Sequence, residues 1–339
     1  MATVIVDDFE DWRQSFSSFG RVVRSSRGDV EAIVEVKDAT PEQIHIAECN
    51  PSFFCFNAAW LRKNLRALKD TNAQGEYYLT DVIGMAARDG QEIGTARPQA
   101  EWEILGVNSK AQLAELERTH QRNQALVLME QGVTLMDPAR FDLRGTLICG
   151  EDVIIDVNVV IEGDVTFGDR VQIGPNNVLR HCTIGADTLV QPNCVIENAE
   201  IGADCRIGPF ARIRPETRIA AHARIGNFVE IKKSVIGIGS KVNHLTYVGD
   251  SAVGKDVNIG AGSITANYDG ANKHLTQIED NASIGSNCVL VAPVKIGAGA
   301  TIGAGSVIAK DAPAGELTLS RVKQTTVPGW KRPTKKPKG

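Results

Sequence analysis

Residues 201–231 have the sequence IGADCRIGPFARIRPETRIAAHARIGNFVEI, in which isoleucine returns at every sixth position. An α-helix would repeat its apolar residues at steps of three and four, and a hairpin strand at steps of two. A fixed short repeat is instead typical of a β-solenoid, in which each strand stacks on its copy in the next coil and buries one aliphatic rung. The stretch therefore predicts a coil with an aliphatic interior.

The six-residue step continues on both sides of this stretch, with a one-residue slip near Asn177. Its further aliphatic positions are Val153, Val159, Val165, Val171, Ile284, Leu290, Ile296, Ile302 and Ile308. At roughly 18 residues for each three-sided coil, the repeat predicts about nine coils. Glycine follows many of the aliphatic residues, as at Gly202 and Gly226. We predict that these glycines supply the backbone angles of the corners.

The composition is that of an ordinary globular protein, with 339 residues, 42% hydrophobic and 23% charged. A formal net charge of −4 gives no general attraction for nucleic acid. No apolar run is long enough to span a membrane, and the amino terminus does not resemble a signal peptide. The seven cysteines are scattered without a CxxC pair, which argues against a disulfide framework or a thiolate zinc site. We expect a cytoplasmic protein that binds neither nucleic acid nor membrane.

Four segments follow from these patterns. Residues 1–107 have the mixed strands and helices of a small α/β domain, with strands at Thr3–Val6 and Val30–Val36 and a helix at Ala58–Leu68. The remaining segments are a linker helix with its connection at 108–143, the coil at 144–311 and a basic tail at 312–339. Arg321–Gly339 holds seven lysines or arginines and no acid, which fits either a solvated tail or a phosphate-binding one.

The linker helix has a start signal, because Ser109 with Gln112 three residues later forms a capping box. We expect the helix to run to about Met129 and to pack through Leu113, Leu116 and Val127. Within the coil, two segments are predicted to interrupt the repeat, 242–248 and 264–277. Insertions in a solenoid project on one face, usually the working one.

With these segments in view, the chain resembles the bacterial family of bifunctional N-acetylglucosamine-1-phosphate uridyltransferases and glucosamine-1-phosphate N-acetyltransferases. The resemblance covers nearly the whole chain. It rests on long motifs: DPARFDLRG at 137–145, GPFARIRP at 208–215, GNFVEIKK at 226–233, HLTY at 244–247, NIGAG at 258–262 and NYDGANK at 267–273.

This resemblance implies a fold that the period alone does not give. The coil would be a left-handed parallel β-helix of hexapeptide repeats, preceded by a partial nucleotidyltransferase-like α/β domain and the linker helix. Three copies would form a homotrimer, with acetyl transfer at the subunit interfaces. The implied reaction moves acetyl from acetyl-CoA to the amine of glucosamine 1-phosphate, a step toward UDP-N-acetylglucosamine for cell-wall and lipopolysaccharide synthesis.

Acetyl transfer to an amine needs an unprotonated nucleophile, stabilisation of the oxyanion and fixed positions for both partners. Histidine is suited to accept the proton at neutral pH. The resemblance assigns that role to His244, whereas His45, His120, His181 and His222 are expected to be structural. Sugar-phosphate contacts are implied for Arg214, Lys232, Tyr247, Asn258 and Lys273.

The contact positions for acetyl-CoA, the acetyl donor, are also implied by the resemblance. They are Ala261, Asn267, Tyr268, Ser286, Ala304 and Arg321. Alanines suit this role because a pantetheine arm needs backbone groups and little bulk beside it. Tyr268 and Ser286 are both candidates for holding the thioester oxygen, and the sequence does not choose between them.

The amino-terminal motifs FGRVV at 19–23, VEVKDA at 34–39 and NAQGEYYLTD at 72–81 also resemble the family's uridyltransferase domain. Gly20, Glu35, Asn50 and Asn108 match its nucleotide and metal positions. The first portion of that domain, with its triphosphate-binding loop, is absent, so Asn108 would be a metal ligand only if that portion were supplied. We therefore expect no bound metal, no use of magnesium and no uridyl transfer. Phe9–Ser18 and Asn50-Pro51-Ser52 depart from the family pattern.

Three alternatives accompany this interpretation. A carbonic-anhydrase-type hydrolase would need three convergent histidines, but His181, His222 and His244 have no repeating coil offset. Another hexapeptide acyltransferase would lack the long motifs. A truncated relic would bind sugar nucleotide or CoA without turnover, and only measurement separates it from an enzyme.

Overall fold

Two units make up the chain, residues 1–120 and 121–339, and the computed structural model describes residues 1–107 and 109–334. Its α-helices are Pro41–Ile44, Ala58–Asn64, Asp81–Arg88 and Lys110–Glu130. Its 3-10 helices are Asp11–Ser18, Val36–Asp38, Leu65–Ala67, Glu101–Ile104 and Pro138–Arg140. The division between the units falls within the long helix, whereas the boundaries at 107, 143 and 311 remain predictions.

An antiparallel sheet of four strands forms the centre of residues 1–120. In spatial order the strands are Val4–Ile5, Glu48–Asn50, Gly20–Arg24 and Val30–Val34. They include both predicted strands, each shorter than expected. The predicted helix at Ala58–Leu68 is α-helical to Asn64 and then tightens into a 3-10 turn.

The departure from the family pattern at Phe9–Ser18 builds part of this unit's core. Phe16 is fully buried, and its ring contacts Phe19 edge-on with ring centroids 5.2 Å apart. The same segment wraps the buried Arg21 guanidinium, which donates to the carbonyls of Phe16, Ser17, Phe19 and Ile44. Carbonyl acceptors can satisfy a buried guanidinium, so the segment has a structural role here.

The coil has three parallel faces. Face 1 contains Thr134–Leu135, Ile154–Ile155, Gln172–Ile173, Leu189–Val190, Arg206–Ile207, Arg224–Asn227, Lys241–His244, Asn258–Ile259, Ser283–Ile284, Thr301–Ile302 and Leu317–Thr318. Face 2 contains Val178–Arg180, Val195–Glu197, Arg212–Ile213, Glu230–Lys232, Tyr247–Gly249, Ile264–Ala266, Val289–Val291 and Val307–Ile308. Face 3 contains Thr183–Ile184, Ala199–Ile201, Thr217–Ile219, Val235–Ile236, Ser251–Val253, Thr276–Ile278 and Val294–Ile296. Two longer strands, Phe141–Cys149 and Val159–Phe167, pass through faces 2 and 3.

The strand register confirms the aliphatic rungs. Ile213 pairs with Ile231 one coil later, an offset of 18 residues, and Ile231 pairs with Val248, an offset of 17. Residues 242–248, predicted to interrupt the repeat, therefore form an ordinary corner. The predicted insertion at 264–277 is real, because Val253 pairs with Ile278 at an offset of 25.

The coil is longer than the predicted nine turns. In the part of the chain that the structure describes, face 1 has eleven strands, and its pairing runs from Thr134 to Thr318. A single apolar cluster runs through the interior from Ala125 to Ala312. Each rung is thereby covered by the rungs beside it.

Most glycines that follow the rungs have a different role from the predicted one. Gly202, Gly226 and Gly285 do not have left-handed backbone angles, although Gly208 does; most non-glycine residues with left-handed angles at the corners are Asn or Asp. A Cβ at Gly226 would lie 1.9 Å from the carbonyl oxygen of Asn243 in the next coil. These glycines are required because neighbouring coils approach closely.

The long helix packs through a stripe adjacent to the predicted one. Leu113 and Val127 are exposed, whereas Gln121, Ala125 and Leu128 are buried. Both ends of the Gln121 side-chain amide bind the backbone of Leu143. Oε1 accepts from the Leu143 N–H at 2.7 Å, and Nε2 donates to its carbonyl at 2.9 Å. This pairing sets the rotation of the helix, and hydrophobic spacing alone did not reveal it.

All seven cysteines are free, and only Cys55 is exposed. Burial raises the pKa of Cys182 and of Cys149 to about 12. Because the thiolate is the reactive form, a thiol reagent is expected to modify one cysteine rapidly in the native chain and all seven after unfolding. Cys55→Ser should remove the rapid phase. A second rapidly modified thiol in the native protein would contradict this assignment.

Candidate active site

Three cations lie together at the corner between faces 2 and 3, and we call Arg214, Lys232 and Lys273 the cationic cup. Arg214 follows the strand Arg212–Ile213, and Lys232 ends the paired strand one coil later. Lys273 reaches them from the inserted loop, and its ammonium group lies close enough to that of Lys232 for each to affect the other's charge.

The cup brings like charges close together. The neighbouring Lys273 ammonium group lowers the pKa of Lys232, and burial and the charge of Arg214 lower it further. Crowding of like charges disfavours the charged forms of the side chains, and an anion between them reverses that effect. The geometry therefore suits a small, highly charged anion such as a phosphate.

Two carboxylates border the cup. Glu230 Oε1 accepts from Arg214 Nη1 at 2.7 Å and so fixes the guanidinium. Asp250, only 9% exposed, acts on both lysines electrostatically, and its Oδ2 accepts from Asn267 Nδ2 at 2.5 Å. Asp250 therefore has a fixed position beside the ammonium groups.

Tyr247 lies between the cup and His244 along face 2. Its strand, Tyr247–Gly249, follows the His244 corner and ends next to Asp250. A Cβ at Gly249 would lie 2.3 Å from the Tyr247 hydroxyl, so the ring extends over that glycine toward the cup. Tyr247 is thus placed to contact a ligand bound between the two ends of the strand.

His244 ends a face 1 strand, at the corner between faces 1 and 2, and its ring is exposed. Its Nδ1 lies 3.1 Å from Oδ1 of Asn227 in the preceding coil. If Nδ1 donates this bond, Nε2 carries the lone pair that a general base needs. Asn227 was not predicted as a site residue, although its 17-residue offset from His244 could have indicated it.

Three of the predicted cofactor residues form one column on the same corner as His244. His244 O accepts from Gly262 N at 3.2 Å, Ala261 O accepts from Asn287 N at 2.8 Å, and Ser286 O accepts from Gly305 N at 2.8 Å. Ala304 N lies directly under Gly285 in the adjacent coil. Arg321 continues the column, with Nη2 3.7 Å from the position of a Cβ at Gly303.

The other predicted residues of the coil lie elsewhere. Asn258 is exposed in the middle of face 1, one coil after Lys241. Asn267 and Tyr268 are on the inserted loop at the far side of face 2. The Asn267 side chain is buried against Asp250, and the Tyr268 hydroxyl donates to the Gly270 carbonyl at 2.6 Å.

Three of the residues predicted to match nucleotide-site positions lie together in the amino-terminal unit. Gly20 pairs with Asn50 in the sheet, and a Cβ at Gly20 would lie 3.4 Å from the Glu35 carboxylate. Glu35 Oε1 accepts from the Thr80 hydroxyl at 2.9 Å. Asn108 lies outside the described residues.

Among the described residues, no group of three or more His, Cys, Asp or Glu side chains could hold a metal ion. His181, His222 and His244 lie on three different corners of the coil. Over the same residues, no helix combines the length and apolarity needed to cross a bilayer.

The repeat and the corner site define a class of proteins. Residues 275–310 match the family model "Bacterial transferase hexapeptide (six repeats)", and 143–217 match "GMPPB C-terminal domain". The coil therefore carries the hexapeptide repeat found in bacterial transferases, and its fold is the predicted left-handed parallel β-helix.

Curated relatives identify the family. The chain is 56% identical to "Bifunctional protein GlmU" of Chromobacterium violaceum over 94% of its length and 70% of the relative's. It is 57% identical to the protein of that name from Ralstonia nicotianae, over 95% and 71%. The chain belongs to the GlmU family. A solved Arabidopsis UDP-N-acetylglucosamine acyltransferase matches at 21% identity with a TM-score of 0.30, covering 52% of this chain and 69% of that one, and such a score adds no support for a function.

Proposed function

We propose that this chain transfers acetyl from acetyl-CoA to the amine of glucosamine 1-phosphate, giving N-acetylglucosamine 1-phosphate for UDP-N-acetylglucosamine synthesis. One observation carries the proposal: an exposed imidazole with one nitrogen held by Asn227 stands beside a face of the coil that ends in three cations. The cations fit a sugar phosphate, and the imidazole fits a base for the amine.

In the proposed reaction, Arg214, Lys232 and Lys273 bind the phosphate, while Tyr247 and Asn258 contact the sugar. His244 Nε2 accepts the proton as the amine nitrogen bonds to the thioester carbonyl carbon. The carbon–sulfur bond then breaks, and the CoA thiolate leaves and takes up the proton. The column of Ala261, Ser286, Ala304 and Arg321 would hold acetyl-CoA, with further contacts from Asn267 and Tyr268.

We also propose a homotrimer that completes this site. Phe210 and Phe228 stack with ring centroids 5.3 Å apart on the His244 corner, and Leu245 follows them in the next coil. All three side chains are about half exposed or more. Such an apolar column is typical of a surface that another chain covers, which would bring a second copy beside His244.

The test supplies acetyl-CoA and glucosamine 1-phosphate and follows release of the CoA thiol in the Cys55→Ser background, which removes the exposed cysteine. We expect turnover that depends on both substrates. Binding of acetyl-CoA without thiol release would instead support a relic that has lost catalysis.

The same preparation tests the proposed loss of uridyl transfer. These 339 residues are expected to form no pyrophosphate from UTP and N-acetylglucosamine 1-phosphate with magnesium present, because a triphosphate needs converging N–H groups and cations. Gly20, Glu35, Asn50 and Asn108 are not expected to supply them. Pyrophosphate release would show this part of the proposal to be wrong without affecting the acetyl transfer.

A further inference from the structure

The inserted loop has a defined internal structure. Compared with coils of 17 or 18 residues, the additional residues lie between the strands Ile264–Ala266 and Thr276–Ile278. Tyr268 and Lys273 form an antiparallel bridge, and His274 N donates to the Asn267 carbonyl at 2.8 Å. The loop is therefore a small hairpin with Lys273 on its returning arm.

One carboxylate organises this hairpin. Asp269 Oδ1 accepts from Ala271 N at 2.8 Å and from Asn272 N at 2.6 Å, while Oδ2 contacts His274 Nε2 at 2.6 Å. Asp269 N also donates to the Asn272 carbonyl at 3.1 Å. These bonds, first among them that from Asn272 N, hold the pKa of Asp269 well below its ordinary range.

Lys273 lies between two residues that Asp269 holds. Asn272 precedes it and His274 follows it, and both are bonded to the carboxylate. The Lys273 backbone thus has little freedom, although its side chain is long and exposed. A long lysine side chain loses conformational entropy when it binds a ligand, and a fixed backbone reduces that loss.

We propose that Asp269 is a positioning residue, which holds the hairpin so that Lys273 stands beside Lys232 in the cationic cup and determines selectivity for a phosphorylated acceptor. This role rests on the proposed function. Asp269 touches no substrate and acts through Lys273. Without its carboxylate the hairpin opens, Lys273 leaves the cup, and only Arg214 and Lys232 remain for the phosphate.

The kinetic test compares Asp269→Ala, Lys273→Ala and the double variant. Asp269→Ala is expected to raise KM for glucosamine 1-phosphate about tenfold or more, consistent with the loss of one charged hydrogen bond, and to change kcat much less. The turnover of unphosphorylated glucosamine should fall little in this variant. If Asp269 acts through Lys273, the double variant is no worse than Lys273→Ala, because the effects of coupled residues do not add.

Two further variants separate the positioning role of Asp269 from the effect of its charge and from a general loss of stability. Asp269→Asn keeps an oxygen for the two backbone N–H groups and is expected to recover most of the lost affinity. Asp280→Ala is the matched control, since Asp280 Oδ1 also accepts a backbone N–H, that of Lys255 at 2.9 Å, but at a corner away from the cup. It should leave KM for the sugar phosphate unchanged.

Amide hydrogen exchange over residues 268–274 tests the proposal independently of turnover. Asp269→Ala is expected to speed exchange there at least tenfold, while other coils keep their protection. Unchanged exchange, or an additive double variant, would overturn the proposal. If the wild-type chain shows no acetyl transfer but the hairpin loosens as expected, the proposed function fails and the structural role of Asp269 stands.

Discussion

Replacing His244 by alanine is expected to lower kcat for acetyl transfer by roughly 10²–10⁴, the usual contribution of a general base. The imidazole is exposed, and Asn227 engages Nδ1 only, which leaves Nε2 for the amine. Binding of acetyl-CoA should change little, because the column below His244 presents backbone groups and small side chains. The measurement is steady-state thiol release with both substrates, combined with calorimetric titration of acetyl-CoA.

His222→Ala is the matched control for this prediction. His222 is also an exposed corner histidine held by an oxygen, since its Nδ1 lies 2.7 Å from Asp204 Oδ2, but it lies at the corner between faces 3 and 1. Its kcat should stay within about twofold of wild type. A His244→Ala enzyme that keeps full turnover would remove the proposed base from the mechanism.

Replacing Gly226 by alanine is expected to cost about 3 kcal/mol or more of unfolding free energy, at the upper end of overpacking effects. The new methyl group would meet the Asn243 carbonyl oxygen at 1.9 Å and its carbon at 2.6 Å, and a backbone group cannot rotate away as a side chain can. Asn227 follows Gly226 and His244 follows Asn243, so both adjoin this contact. The distance between Asn227 and His244 should therefore change as well. Urea unfolding measures the first effect and kcat the second.

Gly106→Ala provides the comparison, since a Cβ there meets no atom within 4 Å. The unfolding free energy of this variant should lie within about 0.5 kcal/mol of that of the wild type, as for most exposed substitutions. Equal unfolding midpoints for the two variants would mean that neighbouring coils are further apart than 1.9 Å implies.

Most of the fold could be predicted from one pattern. An aliphatic residue at every sixth position predicts stacked rungs, and the register bears this out from Ile155 to Ile302. The reason for the glycines could not be predicted, because their requirement comes from another coil. The packing stripe of the long helix was also missed, since it depends on the pairing of Gln121 with the Leu143 backbone.

The site was predicted unevenly, for a similar reason. Arg214, Lys232, Lys273 and His244 were named from motifs, and the structure brings the three cations together. Asn227, Asp250 and Asp269 carry the contacts that fix those residues, and although Asn227 and Asp269 lie within the quoted motifs, their partners were not predicted. Their contacts depend on 17-residue offsets, which the repeat could have indicated, and on the fold of a hairpin, which the repeat does not predict.

The stacking of coils has a consequence for where the molecule loosens first. Each rung is supported only by its neighbours, so fraying should start at the ends of the stack and move inward. Among the described strands of face 1, the His244 strand is seventh of eleven, whereas the strand Leu317–Thr318, just before Arg321, is the last. A long ligand that lies along the corner from His244 to Arg321 would stabilise the terminal coils. The acetyl donor would therefore raise the unfolding temperature of this protein more than the sugar phosphate would.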